Sequence, residues 1–319
     1  MFLSFSRESN YSRERVRSRH LYFRKTLIGE IMNQAKPWFS NRVCLLATMH
    51  KKEQAIAALL EKQLEMQVVV PQGFNTDRFG TFTREIKRLG TQLEAARLKA
   101  QKVLEVTGES LAVASEGSFF PDPNLPYVSR DRELVLLLDR AHQLEIVGVE
   151  VSLETNYNHT WVYSVADAFD FAAQVGFPDH GLVLMSSPEP KKNEQIFKGI
   201  VTEADLIHAV TTILKSSPEK RAHLETDMRA MYNPTRMQVI AKATENLIDK
   251  IQQTCPNCYC PGFDVIERKP GLRCAMCNLP TSLIKSDLYQ CQKCNFQETR
   301  SFPNQVEFAD PTYCNYCNP

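Results

Sequence analysis

"RVCLLATMHKKEQAIAALLEKQLEMQVVVP" (42–71) decides the fold class. "RVCLLAT" is short, apolar and rich in residues that suit a buried strand. "KKEQAIAALLEKQLE" then switches to helical spacing, with Ile56, Leu59, Leu60 and Leu64 on one stripe. "MQVVVP" is a second strand. The chain therefore opens β-α-β, the unit from which parallel sheets are built.

The same alternation continues. After the polar stretch "QGFNTDRFGTFTREIKRLG", residues 91–106 read as a helix. Thr91 and Glu94 form a capping box, and Leu93, Ala96, Ala100, Val103 and Leu104 share a face. Strands are expected at 110–115, 133–139 and 144–150, the last two as a hairpin across "RAHQ". A second half adds helix 164–175, strands "GLVLMS" and "IFKGI", helix 202–215, strand 222–227 and helix 234–252. The expectation is an α/β domain over 41–252, with a mixed sheet flanked by helices and two lobes allowed.

On either side the composition changes. Residues 1–38 carry eight Lys or Arg against three Glu, a basic extension (1–40) that its composition marks as disordered. Met32 offers an alternative start. No run approaches the ~18 apolar residues of a membrane span, so a soluble, cytoplasmic protein with no membrane partner is the expectation. From Thr254 onward nine of the ten cysteines appear.

Those cysteines stand as Cys255-x2-Cys258, Cys274-x2-Cys277, Cys291-x2-Cys294 and Cys314-x2-Cys317. A Cys-x2-Cys turn aims two sulfurs at one point, and two turns complete a tetrahedron. Taken in chain order, they predict two structural zinc ribbons over 254–319, Cys255/Cys258/Cys274/Cys277 and Cys291/Cys294/Cys314/Cys317. Iron is the rival ion for such a site. Cys260 is left over. This segment has equal numbers of acidic and basic residues, and Zn²⁺ on four thiolates adds further negative charge. A protein partner therefore suits it better than nucleic acid, although Tyr259, Phe263, Tyr289, Phe296, Tyr313 and Tyr316 offer stacking surfaces.

Polar residues at strand ends supply the candidate chemistry. His50, Lys51 and Lys52 stand where a helix begins, a place that favours anions. Asn75, Asp77, Arg78 and Arg84 suggest a lid or phosphate clamp. Glu116 is expected in a turn after a strand, and "ETNYNHT" (154–160) reads as a polar loop able to meet a base edge. In "HLETDMRAMYNPTRM" (223–237), period two puts His223, Glu225 and Asp227 on one strand face. Asn233 and Pro234 then start a helix. Arg236 in its first turn opposes the helix dipole, which suggests that it serves an anion. No cysteine or serine beside His50 or His159 suggests covalent catalysis.

"ATMHKKEQAI", "GFNTDRFGTFTREIKR", "ETNYNH", "HLETDMRAMYNPTRM" and "ERKPGLRC" resemble an uncharacterised bacterial family with a Cys-rich tail, from about Met32 onward. That resemblance implies no activity. Residues 43–150 also resemble, in order of elements, the inosine/xanthosine triphosphate pyrophosphatases. "ATMHKKE" stands at their phosphate loop, with His50 in place of Asn and the Lys shifted by one. "TQLEAARLKA" matches their metal-binding helix start at Thr91, Glu94, Ala96, Lys99 and Ala100, with Ala95 replacing Asn, and "VASEGSF" supplies Glu116 and Gly117.

This second resemblance implies Mg²⁺-assisted hydrolysis of a nucleotide-like or phosphorylated small molecule. Taken together with the polar clusters above, Lys52, Arg78 and Arg236 would hold phosphate, and Glu94, Glu116 and Glu225 or Asp227 would hold metal or water, with His50 beside them. The competing expectation is a zinc-ribbon adaptor that binds protein or nucleic acid, with a ligand-sensing α/β domain.

Overall fold

The computed structural model describes residues 35–80, 86, 88, 90–190 and 194–319. The basic arm up to residue 34, and Arg84 within the expected clamp, lie outside the described residues. The chain forms two compact units, one of residues 41–249 and one comprising 250–319 with the described residues before 41.

The first unit holds two sheets. Strand β1 (Val43–Ala47), helix α1 (Glu53–Leu64) and strand β2 (Gln67–Val69) form the expected β-α-β, with β1 and β2 parallel. Helix α2 (Gln92–Thr107) begins at the Thr91–Glu94 capping box and ends at left-handed Gly108. Strands β3 (Leu111–Pro121), β4 (Ser129–Asp139) and β5 (Leu144–Ser152) complete a sheet of order β2-β1-β3-β4-β5. It is mixed: β3 runs parallel to β1 and antiparallel to β4.

The apolar run of β4 buries both faces, as a central strand must. Leu134 and Leu136 join Leu45, Ala112 and Ala114 under α2, through Ala96, Ala100 and Val103. The alternate residues Val135 and Leu137 are buried on the opposite face. There helix α5 (Pro234–Gln252) lies against β5 at Gly148, where a Cβ would overlap the backbone of Ala243 and Leu247. Truncating one of these leucines to alanine costs about 2–5 kcal/mol.

The second sheet has order β6-β9-β7-β8. It is built from β6 (His159–Val162), β7 (Leu182–Met185), β8 (Ile196–Ile200) and β9 (Ala222–Thr226), with helices α3 (Val165–Gln174) and α4 (Glu203–Ser216) between them. Both helices start at serine or threonine caps, Ser164 and Thr202. Leu182, Leu184, Ala222 and Leu224 turn inward to a core with Phe171, Leu206, Val210 and Ile213. The other face carries Val183, His223 and Glu225.

Three expectations change here. The expected strands 110–115 and 133–139 are longer and pair through eleven positions, from Leu111–Asp139 to Pro121–Ser129. Glu116 and Gly117 therefore lie mid-strand and not in a turn. The loop "ETNYNHT" ends in edge strand β6, whose His-Thr-Trp-Val residues suit a strand. Strand β9 stops at Thr226, so Asp227 lies just beyond it.

The Cys-rich unit has a three-stranded sheet of β10 (Asp264–Pro270), β12 (Ile284–Gln290) and β13 (Gln297–Ser301). A short parallel pair joins β11 (Arg273–Cys274) to β14 (Phe308–Ala309). Among the described residues, no helix is long and apolar enough to cross a membrane.

Candidate functional site: a charged cleft and two four-cysteine clusters

The eight expected cysteines form two groups, each with its four sulfurs within 4.8 Å of one another. The grouping is interleaved: Cys255, Cys258, Cys291 and Cys294 form one, and Cys274, Cys277, Cys314 and Cys317 the other. This corrects the chain-order pairing expected from spacing. The reason is the sheet. Antiparallel β10 and β12 pair Asp264 with Gln290, bringing the turn before β10 beside the turn after β12. Parallel β11 and β14 pair Cys274 with Ala309, next to the Cys314 turn.

Each Cys-x2-Cys turn has the same backbone. The amide four residues after the first cysteine donates to that cysteine's carbonyl, as Tyr259 to Cys255, Asn278 to Cys274, Asn295 to Cys291 and Asn318 to Cys314. Closest sulfur pairs stand 3.6–3.8 Å apart, as in Cys258–Cys291 and Cys274–Cys317. A tetrahedral ion with ~2.3 Å bonds to sulfur has edges of about 3.8 Å. The two groups are therefore shaped to hold metal ions. Cys260 is buried outside both, with its sulfur on the Pro261 carbonyl.

In the first unit, residues of both sheets line a cleft of about 360 Å³. One wall brings His50, Lys52, Arg88, Lys99 and Glu116; the other brings Lys198, Glu225, Asp227 and Arg229. Phe119, Phe120 and Tyr157 add an aromatic side, with Phe119 and Tyr157 stacked at 5.5 Å between centroids.

Lys52 is buried at the start of α1, and its Nζ donates to the Ser115 hydroxyl at 2.9 Å. Burial, reinforced by Arg236 and opposed by Glu133, lowers its pKa to about 7. Burial pushes the Glu116 carboxyl up, but Lys99, Lys52 and Arg88 outweigh it and leave the group below its ordinary value. Glu116 pairs with Lys99, and Arg88 lies 3.8 Å away. Arg88 itself is aimed by donating to the Ser118 hydroxyl at 2.7 Å and the Gly117 carbonyl at 2.6 Å. At the mouth, His50 Nε2 meets Asp77 at 2.9 Å; burial lowers the pKa of His50 despite that carboxylate.

On the facing wall, Asp227 is buried. It accepts from the Gly199 amide at 3.0 Å and from the Arg229 guanidinium at 2.6 Å, and Arg229 lies 4.6 Å over the Tyr232 ring. Asp227 and Tyr232 thus hold Arg229 in place. His223, also buried, lies 3.3 Å from Glu225.

Behind the cleft, Arg236 donates to Glu133 at 2.6 Å and to the Met228 carbonyl, with both charged side chains fully buried. Asn233 caps α5 through the Arg236 amide at 2.9 Å. The anion expected for Arg236 is therefore Glu133, inside the protein. Gly117 makes room for the pair, since a Cβ there would overlap both partners. Beside them, burial and Glu133 raise the Asp131 pKa to about 8.

The cleft thus gathers His50, Lys52, Glu116, Glu225 and Asp227 from the expected residues. It does not gather Glu94, which is exposed and occupied by its own helix cap. Arg78 lies over Phe74 and Phe79 at 5.4 and 5.2 Å and is not in the lining. Glu116 and Asp227 are matched to cations, and among the described residues only the two cysteine groups converge as metal ligands. Lys99, Arg88, Lys198 and Arg229 were not expected. Lys99 had two signals: it was among the residues matching the pyrophosphatase helix start, and it falls on the buried stripe of α2 between Ala96 and Val103, where an isolated cation is costly.

The chain belongs to the family described as a domain of unknown function (DUF6671), whose model matches residues 99–319. No curated protein and no solved structure matches it.

Proposed function

We propose that residues 41–249 form a hydrolase acting on a phosphorylated, nucleotide-like small molecule. The observation that carries this reading is the convergence of Lys52, Arg88, Lys99, Lys198 and Arg229 on one cleft with an aromatic side. Cations held in place on a partly desolvated surface stabilise phosphate charge without reorganising. Phe119, Phe120 and Tyr157 give a base an apolar surface.

In this reading His50 takes a proton from the attacking water. Its lowered pKa keeps it neutral near pH 7, and Asp77 orients the ring. The lysines and arginines supply the charge neutralisation that sequence reasoning assigned to Mg²⁺. Turnover of a nucleoside-triphosphate panel tests this, with and without divalent cation. Release of phosphate or pyrophosphate is expected from the wild type, falling about 10²–10⁴-fold in His50→Ala. No release from any triphosphate under either condition overturns the reading.

Zn²⁺ is the ion we assign to both cysteine groups, in a structural role, because all four ligands of each come from the protein. Metal analysis of the purified protein distinguishes two zinc ions per chain from iron. A second reading, of residues 250–319 as a protein-docking module, is favoured by exposed Met276, Tyr313 and Tyr316 on the turns of the second group. Loss of a captured partner in a Met276→Ser, Tyr316→Ser variant would support it. Unchanged capture would remove its basis.

A further inference from the structure

Three cations around the cleft are each held by a carboxylate: Lys99 by Glu116, Arg229 by Asp227 and Arg236 by Glu133. Lys52 is different. It is buried and lies in the cleft lining, yet among the described residues its Nζ pairs with no carboxylate. It donates instead to two neutral oxygens of one residue, the Ser115 hydroxyl at 2.9 Å and the Ser115 carbonyl at 3.4 Å. An uncharged amine makes both bonds with its two N–H groups and keeps its lone pair. An ammonium would bring a third N–H and a charge with no carboxylate against it.

The backbone puts this amine where it is. Lys51, which is exposed, takes the left-handed conformation at φ 57°, unfavourable for any residue with a Cβ. The chain thereby turns so that Lys52 starts α1 facing inward. Around it, burial, Arg236 and Lys99 oppose a charge, while Glu133 and Glu116 favour one; the balance leaves the pKa at about 7. An ordinary lysine is uncharged in only about one part in 10³ at neutral pH. A lysine desolvated beside other cations is an activated nucleophile.

We propose that Lys52 is a nucleophilic amine that forms an imine with a phosphorylated aldehyde or ketone held in the cleft. Arg88, Lys99, Lys198 and Arg229 take the phosphate, and Lys52 meets the carbonyl. The nitrogen lone pair attacks the carbonyl carbon, and the C=O π pair moves to oxygen. A proton passes from nitrogen to that oxygen, giving a carbinolamine. Loss of water, with the remaining N–H proton and the C–OH group, leaves the C=N bond. His50 is the group to relay the proton: it shares the lining, and the Lys52 charge is among the causes that lower its pKa. This goes beyond the hydrolase reading, since it shares that reading's phosphate-binding cations but requires no hydrolysis.

The test is reductive trapping on the zinc-loaded full chain at pH 7, with pyridoxal 5′-phosphate as the carbonyl probe and borohydride to reduce the imine. Fragment-ion sequencing distinguishes Lys51 from Lys52. The expected result is one dominant adduct, on Lys52, formed about tenfold or more faster than on the exposed Lys62 of the same helix. Pyrophosphate should slow it, and pyridoxal without the phosphate should label Lys52 poorly. Lys52→Arg should lose the adduct, and Lys51→Arg, which alters only an exposed side chain, should keep it. Labelling of Lys52 no faster than of Lys62 overturns the proposal. So does Lys52 labelling that pyrophosphate leaves unchanged. Triphosphate turnover plays no part in this readout, so failure of the hydrolase reading and failure of this one are told apart.

Discussion

In residues 250–319, eight sulfurs are gathered by four copies of one local turn, and a three-stranded sheet decides which turns meet. In residues 41–249, the cleft's charges come from strands and helices far apart in sequence. Arg236 reaches Glu133 across 103 positions, and Lys52 reaches Ser115 across 63. The first arrangement stores its geometry in short spacings, and the zinc we assign to it would supply much of its stability. The second stores its geometry in tertiary ion pairs over two apolar cores.

The largest expected effect follows from that difference. Structural zinc contributes on the order of 10–16 kcal/mol in small domains. Strong chelator should therefore abolish hydrogen-exchange protection at amides 255–317 and leave the protection of β1, β3 and β4 intact. Loss of protection in both units at the same chelator concentration would break the comparison.

Next in size is the buried pair. Glu133→Gln leaves the Arg236 guanidinium in the interior without its counter-charge, at a cost of about 3–5 kcal/mol in denaturant unfolding. The exposed Lys102–Glu105 pair on α2 is the control, where removal costs well under about 1 kcal/mol. Equal effects would mean that the burial of the Glu133–Arg236 pair contributes nothing.

The contrast also explains what could be read in advance. The β-α-β opening, the Thr91–Glu94 cap, the Asn233–Pro234 helix start and the Cys-x2-Cys turns are all local, and local chemistry fixes them. The cysteine grouping was not legible, because identical turns at similar spacings suit either pairing. Nor was the full length of β3 and β4. Glu116 and Glu133 resemble solvent-facing or turn residues until the cations that neutralise them arrive from α2 and α5. For the same reason Arg88, Lys198 and Arg229 were missed, since a single lysine or arginine is exposed by default. Arg236 was noticed only because a cation in a first helical turn is misplaced.

The same unit is also tested through the pH dependence of its stability. Lys52 has a folded pKa of about 7, below its ordinary value of 10.5. Between those values the unfolded chain holds more protons, so stability rises with pH across the window. Asp131 acts in the opposite sense. Its folded pKa of about 8 makes the folded chain hold more protons between about 4 and 8, so its contribution is lost as pH rises there. Together the two give a minimum in stability near pH 7–8. Lys52→Met flattens the alkaline limb and Asp131→Asn the acidic one, as measured by denaturant midpoints across pH.

The central claim is that the two walls act on one anion, and a double-mutant cycle on pyrophosphate affinity tests it most directly. Calorimetric titration of the metal-loaded full chain would compare Arg88→Ala, Lys198→Ala and the double variant with the wild type. Arg88→Ala does not strand Glu116, which keeps Lys99. The account predicts that each single variant weakens binding about tenfold, and that the double variant falls short of the product because both cations grip the same ligand. Pyrophosphate affinity unchanged in both single variants would contradict it.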